Sequence, residues 1–179
     1  MRGWPLAKSK MLALITVLAG GVLVLASYIR GLITDPARAS ALWGGVPETW
    51  LPLYTISMVL AAVGYLLFTF FLFFRAHELG IVIDFRRVWL AYVAILVPSA
   101  LWMPLTIEMV TSPSPSTWAM IRLMLTLVAL GGLALVITLV RVKPRSRDWS
   151  YWAALIGSVV FFLHTAVLDA ILWPVLFIY

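Results

Sequence analysis

The chain has 179 residues, of which 64% are hydrophobic and only 11% are charged, and its formal net charge is +6. A soluble domain of this size exposes much of its surface, so it cannot hide so many apolar side chains from water. The composition therefore excludes a soluble globular protein and predicts a membrane protein. The chain contains no cysteine, which excludes disulfides and thiolate metal sites.

Five stretches free of charge have the length of a membrane span, which is about 20 residues. Because backbone polar groups cannot stay unpaired in lipid, such stretches indicate helices. The sequence predicts an all-α fold, a bundle of five transmembrane helices in a single domain over residues 1–179. Short connections predict that consecutive helices are antiparallel neighbours. The predicted helices cover residues 11–30, 49–75, 88–108, 117–141 and 149–176.

The first predicted helix contains Gly20 and Gly21, which permit close helix packing. It is longer than a signal-peptide core and has no small-residue cleavage site, so we expect it in the mature protein. The connection over residues 31–48 is the longest on its side of the membrane and contains Gly44-Gly45, a turn signal.

The third predicted helix contains Pro98 and Pro104, which remove backbone donors and predict kinks. Trp102 lies between them, where it would line a cavity opened by the kinks. Glu108 ends this helix, and Arg122 lies near the start of the next at a similar depth. We expect these two to form a structural ion pair across the turn.

The fifth predicted helix contains His164 and Asp169. A histidine within a span is a functional-site candidate by default, although a histidine bonded to a neighbouring helix fits the pattern too. The two residues are five apart, so an α-helix would not stack them on one face. No phosphate loop, metal-binding spacing or nucleophile beside a base is present. We therefore expect no enzyme, no metal site and no cofactor.

The basic residues predict the orientation. Ten of them flank one set of helix ends, and only Arg30, Arg38 and Arg122 flank the other. The positive-inside rule places the N-terminus in the cytoplasm and the C-terminus outside. The expected location is the plasma membrane. Because the positive charge follows helix ends, no nucleic-acid partner is expected. The ten residues are Arg2, Lys8, Lys10, Arg75, Arg86, Arg87, Arg141, Lys143, Arg145 and Arg147.

Three short motifs lie in order on predicted helices 2, 3 and 5. Residues 50–54 have the form W-x-x-L-Y. Residues 99–105 are similar to N-x-x-W-x-x-L with Ser99 in place of Asn, and residues 168–173 to L-N-x-x-x-W with Asp169 in place of Asn. Over residues 43–175 the chain thus resembles the tryptophan-rich sensory protein/translocator protein (TspO/MBR) family.

The resemblance implies a pocket for hydrophobic ligands such as porphyrins and sterol-like molecules, and dimers in many members. It departs from the family in a reduced first loop and in the two asparagine positions, which leaves the ligand open. With His164 at a similar depth, the predicted site occupies the outer half of helices 2, 3 and 5. Its residues are Trp50, Tyr54, Trp102, His164, Asp169 and Trp173.

The leading hypothesis is an integral membrane protein that binds, and translocates or senses, a porphyrin-, sterol- or carotenoid-like molecule in an aromatic pocket. Its expected partners are membrane lipid, that ligand, and a second copy or another membrane protein. One alternative is a structural or assembly subunit of a larger membrane complex. Another is a proton-coupled transporter that uses His164, Asp169, Glu108 and Arg122.

The orientation is directly testable. A reporter fused after Tyr179 should be external, and one inserted between Lys143 and Arg147 should be cytoplasmic, because ten of thirteen basic residues lie on the predicted inner side. Accessibility of the two fusions to a membrane-impermeant reagent measures this. The reverse pattern would contradict the orientation.

Overall fold

Helices make up almost all of the structure, a computed structural model that describes residues 6–34, 41–142 and 148–177. Five helical segments are long and apolar enough to cross a membrane, which confirms the predicted all-α five-helix fold. The α-helical parts of these segments are α1 (Leu6–Thr34), α2 (Leu51–Phe70), α3 (Phe85–Thr111), α4 (Pro115–Val140) and α5 (Trp149–Leu163).

Two of the helices continue through π-helical segments. After α2 come a π-helical turn, Phe71–Arg75, and a short helix, Ala76–Glu78. After α5 come a longer π-helix, His164–Leu172, and one α-helical turn, Trp173–Leu176. α3, in contrast, stays one helix through both Pro98 and Pro104.

The observed helices extend beyond the predicted limits at most ends. α1 covers Leu6–Thr34, whereas its charge-free core predicted residues 11–30. The reason is that exposed cations such as Lys8 and Arg30 are tolerated on a helix that leaves the apolar layer, since their long stems let the charge reach water.

The helices pack in an order that differs from their order in the chain. α1 packs on α3, α3 on α4, α4 on α5, and α5 on α2. The expectation that consecutive helices are neighbours is therefore wrong for α1–α2, and α2–α3 is not among the closely packed pairs. α2 reaches α3 by side chains, as where the Thr69 hydroxyl lies 2.7 Å from the Tyr92 hydroxyl.

Glycines set the closest helix crossings. A Cβ atom on Gly157 of α5 would lie 2.8 Å from the Cα of Gly64 in α2, so the two backbones touch. A Cβ atom on Gly131 of α4 would lie 2.8 Å from the carbonyl oxygen of Ala91 in α3. Such contacts bring the backbones into van der Waals contact, which is one of the forces that associate helices in lipid. By contrast, a Cβ atom on Gly21 would meet nothing within 4 Å.

One end of the bundle, the basic end, carries Lys8, Lys10, Arg75, Arg86, Arg87 and Arg141. There the Nη2 atom of Arg75 lies 3.2 Å from Oδ2 of Asp148, which joins the α2–α3 connection to the start of α5. Hydrogen bonds from the hydroxyl and amide of Ser150 hold the pKa of Asp148 below its usual range, so this carboxylate is ionised at neutral pH. Arg2, Arg38, Lys143, Arg145 and Arg147 lie outside the described residues.

The glycine crossing gives a stability prediction. Gly157→Ala should destabilise the bundle by about 1–3 kcal/mol, because the added methyl group overlaps the backbone of α2. Gly21→Ala, a change of the same size in open space, should leave stability unchanged or slightly raised. Thermal unfolding in one detergent measures both, and equal effects would contradict the close α2–α5 contact.

Candidate functional site

The end of the bundle opposite the basic end is rich in aromatic rings, and we call it the aromatic end. Each of the five spans contributes one ring to it. Ring centroids are 5.7 Å apart for Tyr28–Trp102, 5.8 Å for Trp102–Trp173 and 5.9 Å for Trp118–Trp173. Tyr54 of α2 contacts Trp43 edge to face at 6.1 Å. The rings therefore link all five spans, either directly or through Trp43 and its neighbours.

The segment after residue 40 is fixed over the end of α5. The indole N–H of Trp173 donates to the carbonyl of Leu42 at 3.0 Å, and the amide of Gly45 donates to the carbonyl of Leu176 at 2.9 Å. Gly44 has a φ of +59°, and a Cβ atom there would lie 2.9 Å from the Cα of Phe177. Only glycine suits both the left-handed turn and this close approach.

The π-helix places His164 and Asp169 side by side. Nε2 of His164 lies 3.5 Å from Oδ2 of Asp169. In a π-helix hydrogen bonds run from residue i to i+5, so side chains five apart share a face. The expectation that these residues lie on different faces is thus wrong, because it assumed an α-helix. π-Helical segments are rare and are frequent at functional sites.

The other ring nitrogen of His164 takes part in a hydrogen bond. Nδ1 lies 2.9 Å from the hydroxyl oxygen of Ser57 in α2. Since Nε2 faces a carboxylate, we assign the proton to Nε2 and let Nδ1 accept the Ser57 hydroxyl proton. His164 is buried, whereas the side chain of Asp169 remains 32% exposed.

A tyrosine adjoins this polar group. The hydroxyl of Tyr54 donates to the carbonyl of Leu168, within the π-helix, at 3.0 Å. Tyr54 also lies one helical turn before Ser57, the hydrogen-bond partner of His164. The aromatic cluster and the His164–Asp169 pair are therefore one continuous region.

The structure brings five of the six predicted site residues into this region: Tyr54, Trp102, His164, Asp169 and Trp173. Trp50 is 43% exposed. It precedes α2 in a short 3₁₀ turn, so it does not continue the buried face that includes Tyr54. Sequence reasoning missed Tyr28, Ser57 and Trp118. The only sequence feature that could have indicated these three residues is their position in the outer half of the spans.

Glu108 and Arg122 are both exposed and are not brought together as an ion pair. The ion pairs in the described ranges join Arg75 to Glu78 and Asp148, Arg87 to Asp84, and His164 to Asp169. Equal depth fixes the height of two side chains but not the direction in which each projects.

Two cavities in the described part of the chain lie near the basic end, away from the His164–Asp169 pair. At the aromatic end the rings of Tyr28, Trp102 and Trp173 pack directly on one another. One polar atom in this packing is unsatisfied: the buried indole N–H of Trp102 has no hydrogen-bond partner among the described residues.

Fold and composition together define the class of this protein, which is a multi-pass α-helical integral membrane protein. Comparisons with known protein families, with curated proteins and with solved structures find no match. The particular role of the chain therefore has to be argued from its own residues.

The His164–Asp169 contact predicts coupled mutations. Replacing either residue by leucine leaves the other polar group without its partner, so the double variant should lose about 1 kcal/mol less than the sum of the single losses. Thermal unfolding of the four proteins measures this coupling. The matched control is the cycle Glu108→Gln and Arg122→Met, which should be additive. Additive losses at His164 and Asp169 would contradict the contact.

Proposed function

We propose that this protein binds a hydrophobic small molecule at the aromatic end, against Trp102 and the His164–Asp169 pair. The ligand is planar and apolar with at least one hydrogen-bond acceptor, a description that fits a porphyrin, a sterol-like molecule or a carotenoid derivative. Binding serves sensing or passage of the ligand in the plasma membrane, and it needs no covalent chemistry.

The unsatisfied N–H of Trp102 carries the proposal. A buried donor without a partner costs about 1–3 kcal/mol, so such groups call for an explanation. An acceptor atom on a ligand would remove this cost. Since Tyr28 stacks on the same indole at 5.7 Å, a planar ligand can take the place of that ring.

The ligand would enter the site from the bilayer between α1 and the other helices. α1 is the least buried of the five spans and packs mainly on α3. A small outward movement of its Tyr28 end would open Trp102 to the lipid without disturbing the α2–α5 crossing. A hydrophobic ligand already dissolved in the bilayer would reach the site by this route.

Asp169 supports a polar contact at the same place. A carboxylate within a span is costly in lipid and usually faces protein, water or a substrate. Among the described residues the ion-pair partner of Asp169 is His164, at 3.5 Å, and nearly a third of the Asp169 side chain is exposed. A hydroxyl or amine on the ligand would satisfy its remaining acceptor capacity.

A hydrolytic role for Ser57, His164 and Asp169 is less well supported, although these are the residue types of a catalytic triad. Ser57 lies inside α2. Backbone N–H groups in a helix interior are used within the helix, so they do not supply an oxyanion hole.

The filled aromatic packing favours a second candidate, a structural subunit of a larger membrane complex. In that case the apolar face of α1, with exposed side chains such as Leu18, Val22 and Leu25, contacts another membrane protein. The aromatic end would then be a rigid core rather than a binding site.

A binding measurement separates the two roles. Trp102→Ala should weaken binding of protoporphyrin IX to the purified protein by at least about 1 kcal/mol, which is the order of an aromatic contact. Trp102→Phe keeps a ring but removes the N–H donor, so it should weaken binding about fivefold, the value of one hydrogen bond. Tryptophan fluorescence titration measures both.

The control is Trp149→Ala, which removes an indole that is 72% exposed at the basic end. It should leave the affinity unchanged. Equal effects of the Trp102 and Trp149 changes, or no binding of a porphyrin, a sterol or a carotenoid by the unaltered protein, would favour the subunit role instead.

A further inference from the structure

A cavity in the described part of the chain lies at the basic end, far from the aromatic end. It is a groove of about 530 Å³ between α3 and α4. This volume is in the range of small-molecule sites, which is about 300–1,000 Å³. Nothing in the proposed function uses this groove.

The groove is apolar along most of its length. Its floor is the close contact of Gly131 on α4 with Ala91 on α3, and the small, half-buried side chains of Ala94 and Ala134 line it above that contact. From Leu130 to Arg141 it follows α4 for about three turns. Its edges carry Leu90, Leu130 and Ile137, all exposed, so the groove opens sideways toward lipid.

The mouth of the groove is polar and basic. Arg87 lies in the first turn of α3 and Arg141 directly follows α4, so both guanidinium groups are at the level where the apolar layer ends. Asp84 also lines the mouth, but its carboxylate is engaged by the Nε atom of Arg87 at 3.1 Å and by the amides of Arg86 and Arg87. Arg141 has no ion pair among the described residues.

We propose that this groove binds one anionic glycerophospholipid, with the phosphate at Arg141 and Arg87 and an acyl chain along Ala94, Gly131 and Ala134. Charge and shape both select this occupant. The mouth has two cations and one anion, a net positive charge that a phosphodiester complements, and guanidinium groups suit phosphate geometry. Basic pockets between transmembrane helices are typical sites for anionic headgroups. A second copy of the chain would bring its own arginines and is disfavoured by charge.

Native mass spectrometry of the detergent-purified protein tests the site, with added palmitoyl-oleoyl phosphatidylglycerol or phosphatidylcholine as probes. The first lipid should bind at least about fivefold more tightly than the second, since each basic residue near a membrane surface favours an anionic lipid by about that factor. Arg141→Gln should remove most of this preference. Arg141 is exposed, so this change does not endanger the fold.

Arg86→Gln is the matched control, because it removes the same charge at the same end from a residue that does not line the groove. It should keep the preference. Ala134→Phe places a ring in the apolar part and should weaken both lipids, and its unfolding temperature without lipid confirms that it folds. Inorganic phosphate should not compete.

Three results would each overturn the proposal: equal binding of the two lipids by the unaltered protein, equal effects of Arg141→Gln and Arg86→Gln, or no effect of folded Ala134→Phe. Displacement of the lipid by inorganic phosphate would also overturn it, because the site would then be one for a free anion.

Discussion

Lipid offers no hydrogen bonds, and this constraint decides where each polar side chain of the bundle lies. Serine and threonine hydroxyls bond back to carbonyls of their own helix, as Thr106 does to Trp102. Tyr151 of α5 donates to the carbonyl of Leu139 on α4, and Trp89 donates to Thr16 across the α1–α3 contact. Against this background three polar groups of the described residues are exceptions: the unpartnered N–H of Trp102, the unpartnered hydroxyl of Tyr65 and the half-satisfied Asp169. Trp102 and Asp169 lie in one region, whereas Tyr65 lies in the other core, against Phe68 and Tyr92.

The number and approximate limits of the helices could be predicted because charge is excluded from the bilayer core, so runs between charged residues measure spans directly. The packing order of the helices could not be predicted from the sequence. Apolar residues occur on all sides of each helix, so the sequence does not indicate which face packs against which helix. The closest backbone approach of α2 and α5 is at Gly64 and Gly157, yet a Cβ atom on Gly21, another glycine within a span, would meet nothing within 4 Å.

The candidate site was predictable in composition but not in geometry. Depth and aromatic enrichment identified Tyr54, Trp102 and Trp173, which do lie together. The same reasoning failed for Trp50, which lies outside the regular helix, and for the contact between His164 and Asp169, which depends on π-helical hydrogen bonding. Nothing in the residue pattern distinguishes π-helical from α-helical bonding, since the difference is a shift of one residue in the backbone partner.

The packing order of the helices has a consequence for how the protein is made. α2 leaves the ribosome early, yet its principal partner is α5, the last span of the chain. Until α5 enters the membrane, the Gly64 face of α2 has only lipid or transient neighbours to contact. α1 likewise lacks its principal packing partner until α3 has entered the membrane. Assembly is therefore a late event, in which the final span completes the bundle and sets the aromatic end at the same time.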